Sequence, residues 1–525
     1  MWGLAVSILD YSAADHLGGA LQTADTFGEY GEEVSESVDA VIIGAGPSGL
    51  VAGTVLAEAG LKVVIVEAGR YWQHESFRRR QSWAAKHLMQ DQATRIMTGN
   101  AFIPVASGCG VGGGTLVNSA ICFRAPEWVL DEWVKDWGLD YFEGDERRAL
   151  FEEVEDVIGV DATAPEVAGE NSLIARQGFS ALGVEHGFMP RNAPGCVGCG
   201  TCQTGCPVGG KSTADLTWLP RFLRAGGRLY ADTRAEEIVV EDGRAVGVEA
   251  VMRDPADDRE LAVFSLRADR TLLAAGAINT PLLLQRQNLA NSSGHVGHNL
   301  HVHPTCGVIA RFDHREVRLW SGATQGYYAY HPHNRDILLE TFSASPDVFL
   351  AQMGRVGDVD PGEFLRNFKH LAACGLLIRD SSSGRVRPGK DGAARISYRV
   401  VRRDVEKLRA GLYTVLKMFY EAGSRALRPM VDGSRYFSTY ERARQHVAAR
   451  WKPSSFSIYS SHPMGTCRIG DDPGRCVVRP EDGRTHDVEG LHIVDSSLFP
   501  TAMGANPQVT IMAQALALGR RIARA

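Results

Sequence analysis

Three groups of residues in this 525-residue chain have the types and spacing to do chemistry. The first is Gly44-Ala45-Gly46-Pro47-Ser48-Gly49, with Glu67 at the end of the next apolar run. Gly44 permits a tight turn, Gly46 lets backbone N–H groups approach a pyrophosphate, and Gly49 lets a helix pack onto a strand. The helix start would turn its positive end toward phosphate, and Glu67 could accept hydrogen bonds from ribose hydroxyls. FAD and NAD share this fingerprint, so the turn indicates a dinucleotide without choosing one. The second group lies in the tail: Ser461-His462-Pro463-Met464-Gly465, Asp495-Ser496-Ser497 and Gly504-Ala505-Asn506-Pro507. Histidine is the side chain best suited to exchange a proton near neutral pH, and Asn506 can orient a group but cannot titrate. Taken singly, a histidine such as His462 is more often structural than catalytic. Pro507 suits the first position of the last helix, with Asn506 as its cap. The third group is Cys196-x2-Cys199-x2-Cys202-x3-Cys206-Pro207, the spacing of the bacterial ferredoxin signature.

Thiolates at that spacing on a turning loop can converge on one iron–sulfur cluster. In two-cluster ferredoxins the fourth cysteine serves the other cluster, and this chain has one such run. Cys206 must therefore bend back, or Cys109 or Cys122 must serve, or the cluster is [3Fe–4S] rather than [4Fe–4S]. A loop without metal is the plain alternative. Zinc is disfavoured because the two separated pairs of a zinc ribbon are missing. A histidine cluster, His295, His298, His301 and His303, has spacing that could also bind a metal. Gly112-Gly113-Gly114-Thr115 followed by Asn118 offers unobstructed backbone beside something flat or anionic, or else a flexible loop.

The elements that must position these groups read as an α/β chain. Val38–Ile43 and Lys62–Val66 are continuous apolar runs, typical of buried parallel strands, with a helical pattern between them through Ala59. Residues 127–160 read as helical, and 228–275 alternate as strands with a hairpin signal at Asp242-Gly243. Leu272–Gly276 reads as a strand with a helix from Thr280; 403–427 read as one amphipathic helix; Leu491–Val494 reads as a strand and the last helix starts about Gln508. Residues 1–36 read as an irregular acidic arm.

Composition bounds the rest. The chain is 44% hydrophobic and 22% charged, enough to bury a core and too apolar for disorder. Its net charge of −6 gives no basic face for a nucleic-acid partner. No apolar run approaches the ~20 residues of a membrane span. The N-terminus lacks a basic region and a cleavage site, and the clustered thiols suggest a reducing compartment, so a cytoplasmic location is expected. Glycine is in excess, 57 of 525 residues, about 11% where ~7% is usual.

Four segments together resemble the glucose–methanol–choline (GMC) family of FAD oxidoreductases. They are Gly44–Gly49 with Glu67; Gly108–Asn118 through Arg124; Ala275-Gly276-Ala277-Ile278 with Thr280-Pro281; and His462–Gly465 with Asp495–Pro507. They follow the family's order over most of the chain. Arg379–Val386 and His462–Gly470 are similar to the fatty-alcohol-oxidase-like branch. The resemblance implies FAD rather than NAD, with Gly114 and Asn118 beside the isoalloxazine and Asp495 and Pro507 in contact with it. It implies that His462 and Asn506 form the active-site pair, His462 taking the hydroxyl proton of an alcohol as hydride leaves for flavin N5. Asn506 stands where other family members carry a second histidine. The stretch around His298 is similar to a structural segment near the flavin, with His303 at its usual histidine.

The expected fold is a Rossmann-like FAD-binding domain built from discontinuous segments, 37–300 and 455–525, with the cysteine loop 195–211 inserted. An α+β substrate domain with a mixed sheet covers 301–454. The expected reaction is oxidation of an apolar or mid-sized alcohol to an aldehyde or ketone. An iron–sulfur cluster on Cys196, Cys199, Cys202 and Cys206 would pass electrons to an external acceptor other than oxygen. A lyase, a fatty acid decarboxylase and an electron-transfer flavoprotein are the alternatives.

Overall fold

The computed structural model describes residues 19–27, 31–353, 360–390 and 392–525. Most of the 1–36 arm expected from sequence lies outside the described residues. Its described part is not irregular, because the first long strand begins at Glu32 rather than Val38 and runs to Ile43. The acidic stretch Glu32–Glu36 alternates inward and outward instead of forming a loop.

An eight-stranded sheet carries the front half of the molecule. Its order is Leu21–Gln22, Arg228–Tyr230, Val63–Val66, Glu32–Ile43, Glu260–Leu273, Arg244–Arg253 and Thr233–Glu241, with Leu491–Ile493 also paired to Glu260–Leu273. Glu32–Ile43 pairs in parallel with both Val63–Val66 and Glu260–Leu273. Such strands are covered on both faces, which explains the unbroken apolar runs. Asp242 and Gly243 join two antiparallel strands in a two-residue turn, both with positive φ, as the sequence signal demands. Glu260–Leu273 is fourteen residues long. Its first part pairs antiparallel with this hairpin and its end parallel with Leu491–Ile493. That pairing brings the tail of the chain beside the first glycine turn.

The helices Pro47–Glu58 and Gln508–Arg524 pack together over this sheet. A Cβ at Gly519 would sit 3.2 Å from the Val55 Cβ, so a small residue sets their close approach. The expected helix over 127–160 is two helices, Glu127–Trp137 and Gly144–Ile158. Gly138, at φ +75°, caps the first in the left-handed conformation that glycine adopts without strain. The helix expected from Thr280 begins earlier, at Gly276. The long amphipathic helix runs Arg402–Glu421 and stops short of 427, before Gly423 at φ +101°.

A second, six-stranded sheet is antiparallel throughout: Leu427–Pro429, Thr305–Arg311, Leu371–Ile378, Ile337–Thr341, Tyr327–Tyr330 and His186–Phe188. Helix Arg402–Glu421 lies against it, burying Leu408, Leu412 and Leu416. A four-stranded sheet joins Gly384–Pro388 and Ala394–Tyr398 to Ile96–Gly99 and Ile103–Pro104. The sheets are therefore not cut at residue 300, since strands near 96–104 and 186–188 pair with strands from the later segment. Among the described residues, no helix is long and apolar enough to cross a membrane.

Candidate active site

A cavity of about 960 Å³ runs between the two large sheets. One end is walled by Gly44, Gly46, Ser48 and Glu67, its middle by Gly113, Gly114 and Asn118, and its other end by Glu340, His462 and Asn506. Residues from both ends of the chain thus line one space.

The glycine turn is built as its sequence requires. A Cβ at Gly49 would lie 1.9 Å from the Gly44 carbonyl oxygen, so helix and turn could not approach with any larger residue. Gly44 has φ +109°, and a Cβ there would lie 2.6 Å from the Ala274 oxygen. The second glycine loop presses on the first: a Cβ at Gly113 would lie 2.8 Å from the Gly46 Cα. Gly114, by contrast, faces open space where a Cβ would meet nothing within 4 Å. The backbone is bare at the place where a flat ligand would lie. Glu67 reaches the cavity, but its oxygens accept hydrogen bonds from the Ala45 and Gly69 amides, each at 2.8 Å. Burial pushes its carboxyl up against the pull of those amides. Glu67 therefore fixes the turn as well as lining the cavity.

Asp495 also does more than line the cavity. Its carboxylate accepts from the Gly276 amide at 2.8 Å, the Thr280 hydroxyl at 2.6 Å and the Ser497 amide at 2.8 Å. It staples the tail to the start of helix Gly276–Arg286. The last helix begins at Gln508 with Pro507 at its cap position, so Pro507 precedes the helix and the Asn506 side chain does not cap it. The Asn506 carbonyl oxygen is buried without a hydrogen-bond partner. Asn118 bonds through its amide to Gln508, which also donates to Cys122 at 3.3 Å and Asn192 at 3.2 Å.

His462 sits at the far end of the cavity, its Nδ1 3.3 Å from the Nδ1 of His303. His303 is fully buried, and its Nε2 accepts a hydrogen bond from the Gly504 amide at 2.9 Å. Burial, with His303 adding to it, brings the His462 imidazole down to about 3, and burial brings His303 down to about 4. Both rings are neutral near pH 7. Asp380 holds this corner by accepting from the Val302 and His303 amides at 3.1 and 3.2 Å and from the Tyr398 hydroxyl at 2.7 Å. Burial opposes its ionisation, but His301, His303 and Tyr398 hold the carboxyl down at about 2.

The metal readings find no support in the geometry. Among the described residues, no group of three or more His, Cys, Asp or Glu side chains is placed to hold a metal ion. The thiols of Cys196, Cys199, Cys202 and Cys206 face protein partners instead. The Arg191 guanidinium donates to Cys196 Sγ at 3.5 Å and to Cys202 Sγ at 3.1 Å, and Cys199 Sγ pairs with the Thr201 hydroxyl at 3.0 Å. The Arg191 guanidinium thus contacts two of the four thiols. Burial raises the Cys202 thiol, yet the Arg191 and Lys211 charges prevail and hold it below its ordinary value. Burial leaves Cys206 raised. The thiols as placed give an iron–sulfur cluster no support. The histidine cluster also parts company: His295 and His298 stack edge to face, His301 faces Asp380, and His303 faces His462.

The cysteine loop instead braces the cavity wall. Lys211 is buried, and its ammonium donates to the carbonyls of Leu116, Asn118 and Cys202 at 3.0, 2.9 and 2.9 Å. Gln203 lines the cavity and donates to the Ser119 hydroxyl at 3.2 Å. Sequence reading missed this brace, as it missed Gln508 and Glu340. Glu340 had a signal, being the lone charge in the strand Ile337–Thr341, whose residues are all buried.

The N-terminal family model for GMC oxidoreductases matches residues 38–305, and the C-terminal one matches 380–515. The chain is a GMC oxidoreductase. A GMC-type oxidoreductase of Mycobacterium tuberculosis is 34% identical over 492 residues, covering 91% of this chain and 75% of that protein. The long-chain-alcohol oxidase FAO4A of Arabidopsis thaliana is 29% identical over 520 residues, covering 94% and 70%. Among solved structures, pyridoxine 4-oxidase from Mesorbium loti superposes with a TM-score of 0.69 at 19% identity, over 92% of this chain and 98% of the other. The expected family and GMC fold are thereby established.

Proposed function

We propose that this GMC oxidoreductase binds FAD along the cavity and oxidises an alcohol to an aldehyde or ketone at the end lined by His462 and Asn506. The observation that carries this reading is the continuity of one cavity from the glycine turn at Gly44–Gly49, past the bare backbone at Gly114, to the unpartnered Asn506 oxygen and His462. Gly44, Gly46 and Gly49 with the start of helix Pro47–Glu58 would hold the pyrophosphate, and Glu67 the ribose. Gly114, Asn118, Asp495 and Pro507 would border the ring. FAD, when bound, supplies the two-electron acceptor.

The chain's own residues orient the alcohol. The buried Asn506 oxygen lacks a partner, a state that costs about 1–3 kcal/mol until a donor such as a hydroxyl arrives. His462 places a neutral ring in the same cavity. The substrate end is also lined by Phe342, Leu377 and Ile121, which suits an apolar or mid-sized alcohol. The long-chain-alcohol oxidase relatives support that class. Space beside His462 and Asn506 supports a small-molecule substrate over a pure electron-transfer role. The division into a cofactor part (37–300 with 455–525) and a substrate part (301–454) belongs to this reading. So does a reducing compartment such as the cytoplasm, which ten free thiols support. An external acceptor reoxidises the protein, without a cluster in between.

The test is anaerobic bleaching of the yellow purified protein by a panel of alcohols of increasing chain length. Flavin that is present but bleached by no alcohol would overturn the reading.

A further inference from the structure

The run Arg78-Arg79-Arg80 takes no part in the site described above. All three side chains are exposed, and none is ion-paired among the described residues. Exposed Lys86 adds a fourth cation from the helix Gln81–Leu88. The acid nearest in sequence, Glu75, faces His74 at 3.0 Å. In a chain of net charge −6, this stretch is a local reversal of sign.

The run also lies where the cavity wall is thin. Gln81 lines the cavity, and Arg80, one residue earlier, is exposed; consecutive Cα atoms are only about 3.8 Å apart. The helix Gln81–Leu88 packs on the turn Cys202–Thr204, from which Gln203 lines the same cavity and donates to the Ser119 hydroxyl at 3.2 Å. Ser119 follows Asn118, so this wall belongs to the middle of the cavity and not to the end lined by His462 and Asn506. Beneath the run, Phe77, Ala84, Leu88 and Leu116 form a small core with Trp72, Trp83 and Val117 packed against it. Trp72 and Trp83 meet edge to face at 5.3 Å, and Val117 lines the cavity. Packed side chains thus bridge the basic surface and the cavity. The cysteine loop closes over the same spot. A Cβ at Gly205 would lie 2.6 Å from the Phe77 ring and one at Gly209 3.3 Å from the His74 ring. Val208 between them is 43% exposed.

We propose that the face formed by Arg78, Arg79, Arg80, Lys86 and Val208 docks a small acidic one-electron carrier protein, which draws electrons from the flavin through the wall at Gln81 and Gln203. This rests on the reading above that FAD lies along the cavity. A small apolar contact ringed by like charge suits the brief, salt-sensitive encounters of redox partners. Each carrier takes one electron, so two carriers are reduced for each alcohol oxidised. The hydroxyl proton and the hydrogen transferred from carbon, stripped of its electron pair, leave to water as two protons. An anionic membrane is the less favoured occupant: Trp72 and Trp83 are half-buried beneath the cations instead of protruding beyond them, and the face is not at the substrate end.

The test uses the flavin-loaded protein with cytochrome b5, an acidic carrier, and cytochrome c, a basic one. Equilibrium binding to the oxidised protein is measured first. Then the protein is reduced photochemically without alcohol and mixed anaerobically with either cytochrome. Cytochrome b5 should bind and should be reduced faster than cytochrome c at low salt, and both advantages should fall as ionic strength rises to about 0.2 M, where screening acts within roughly 10 Å. Arg78→Glu/Arg79→Glu/Arg80→Glu should weaken cytochrome b5 binding and slow its reduction by roughly 10- to 100-fold. The control Arg403→Glu/Arg442→Glu/Lys452→Glu makes the same charge change at exposed positions on the helices of the second sheet and beyond, and should change both by less than about 3-fold. Arg78→Gln/Arg79→Gln should show a smaller loss in the same direction, and it decides if charge reversal lowers flavin content. Equal losses in the two triple variants, or no preference for cytochrome b5, would overturn the proposal. So would binding to phosphatidylserine vesicles that the Arg78–Arg80 reversal abolishes while cytochrome b5 is unaffected, which would assign the face to a membrane. Because reduction is photochemical, the two readings fail separately. Docking-dependent transfer in a protein that no alcohol bleaches would sink only the alcohol reading, and alcohol bleaching with equal transfer in both triple variants would sink only this one.

Discussion

Two neutral imidazoles in contact make His303 and His462 sensitive to acid at the residue scale. Each has a folded-state value, about 4 and about 3, below the ordinary histidine value of 6.5. The unfolded chain therefore binds more protons between these limits. Stability is complete above pH 6.5 and declines as pH falls toward 4, by about 3 kcal/mol for His303 alone. Replacing His303 with Asn should flatten the dependence of the melting temperature on pH between 4 and 6.5, an outcome readable by thermal melts across that range. Asn506 has a separate role, and Asn506→Ala should retain flavin yet bleach with alcohol roughly 10- to 100-fold more slowly, the worth of one oriented hydrogen bond. Much of this scale was legible in sequence, since His462 and Asn506 lie in a recognisable tail motif. The partnership with His303 was not. His303 stood in a histidine cluster whose spacing suggested a metal, and only the backbone at Gly504, from the far end of the chain, reveals its other partner.

Elements hold these side chains through close approaches that tolerate no added atom. In Gly49→Ala the new Cβ would overlap the Gly44 oxygen at 1.9 Å. The helix Pro47–Glu58 must then draw away from the turn, and the purified protein should lose bound flavin, measured as the ratio of visible to ultraviolet absorbance. Asp495→Ala should weaken the staple between the tail and helix Gly276–Arg286. It removes the acceptor of three buried hydrogen bonds and should cost about 1–3 kcal/mol for each donor left unmatched. A fall of several degrees in melting temperature would register it. The strands and helices that flank these turns were readable because continuous apolar runs mark buried parallel strands and glycines mark turns. Their ends were less so. The strand Glu32–Ile43 reaches back into an acidic stretch because alternation, which apolar run-counting overlooks, half-buries one of its faces at Val34 and Glu36.

For the molecule as a whole, the cysteine loop is the instructive case. It is tied to the cavity wall by a buried lysine and a buried arginine, without a metal site. Purified protein should carry flavin with iron and acid-labile sulfide far below one equivalent, and its visible spectrum should be that of flavin alone. Lys211→Met removes one cation and leaves three carbonyls unmatched, so it should lower both melting temperature and flavin content, while Cys199→Ser should change neither.

By itself, the sequence indicated the family, the dinucleotide turn and the tail motif, because each is carried by short motifs with local backbone demands that can be read in order along the chain. Only the tertiary structure decided what the ferredoxin-like cysteines face, which histidine backs His462, and that Glu340 opens into the same cavity. Spacing along the chain specifies which side chains could meet. Whether they do depends on partners brought in by distant strands, here Arg191, Gly504 and the second sheet, and no local pattern encodes those encounters.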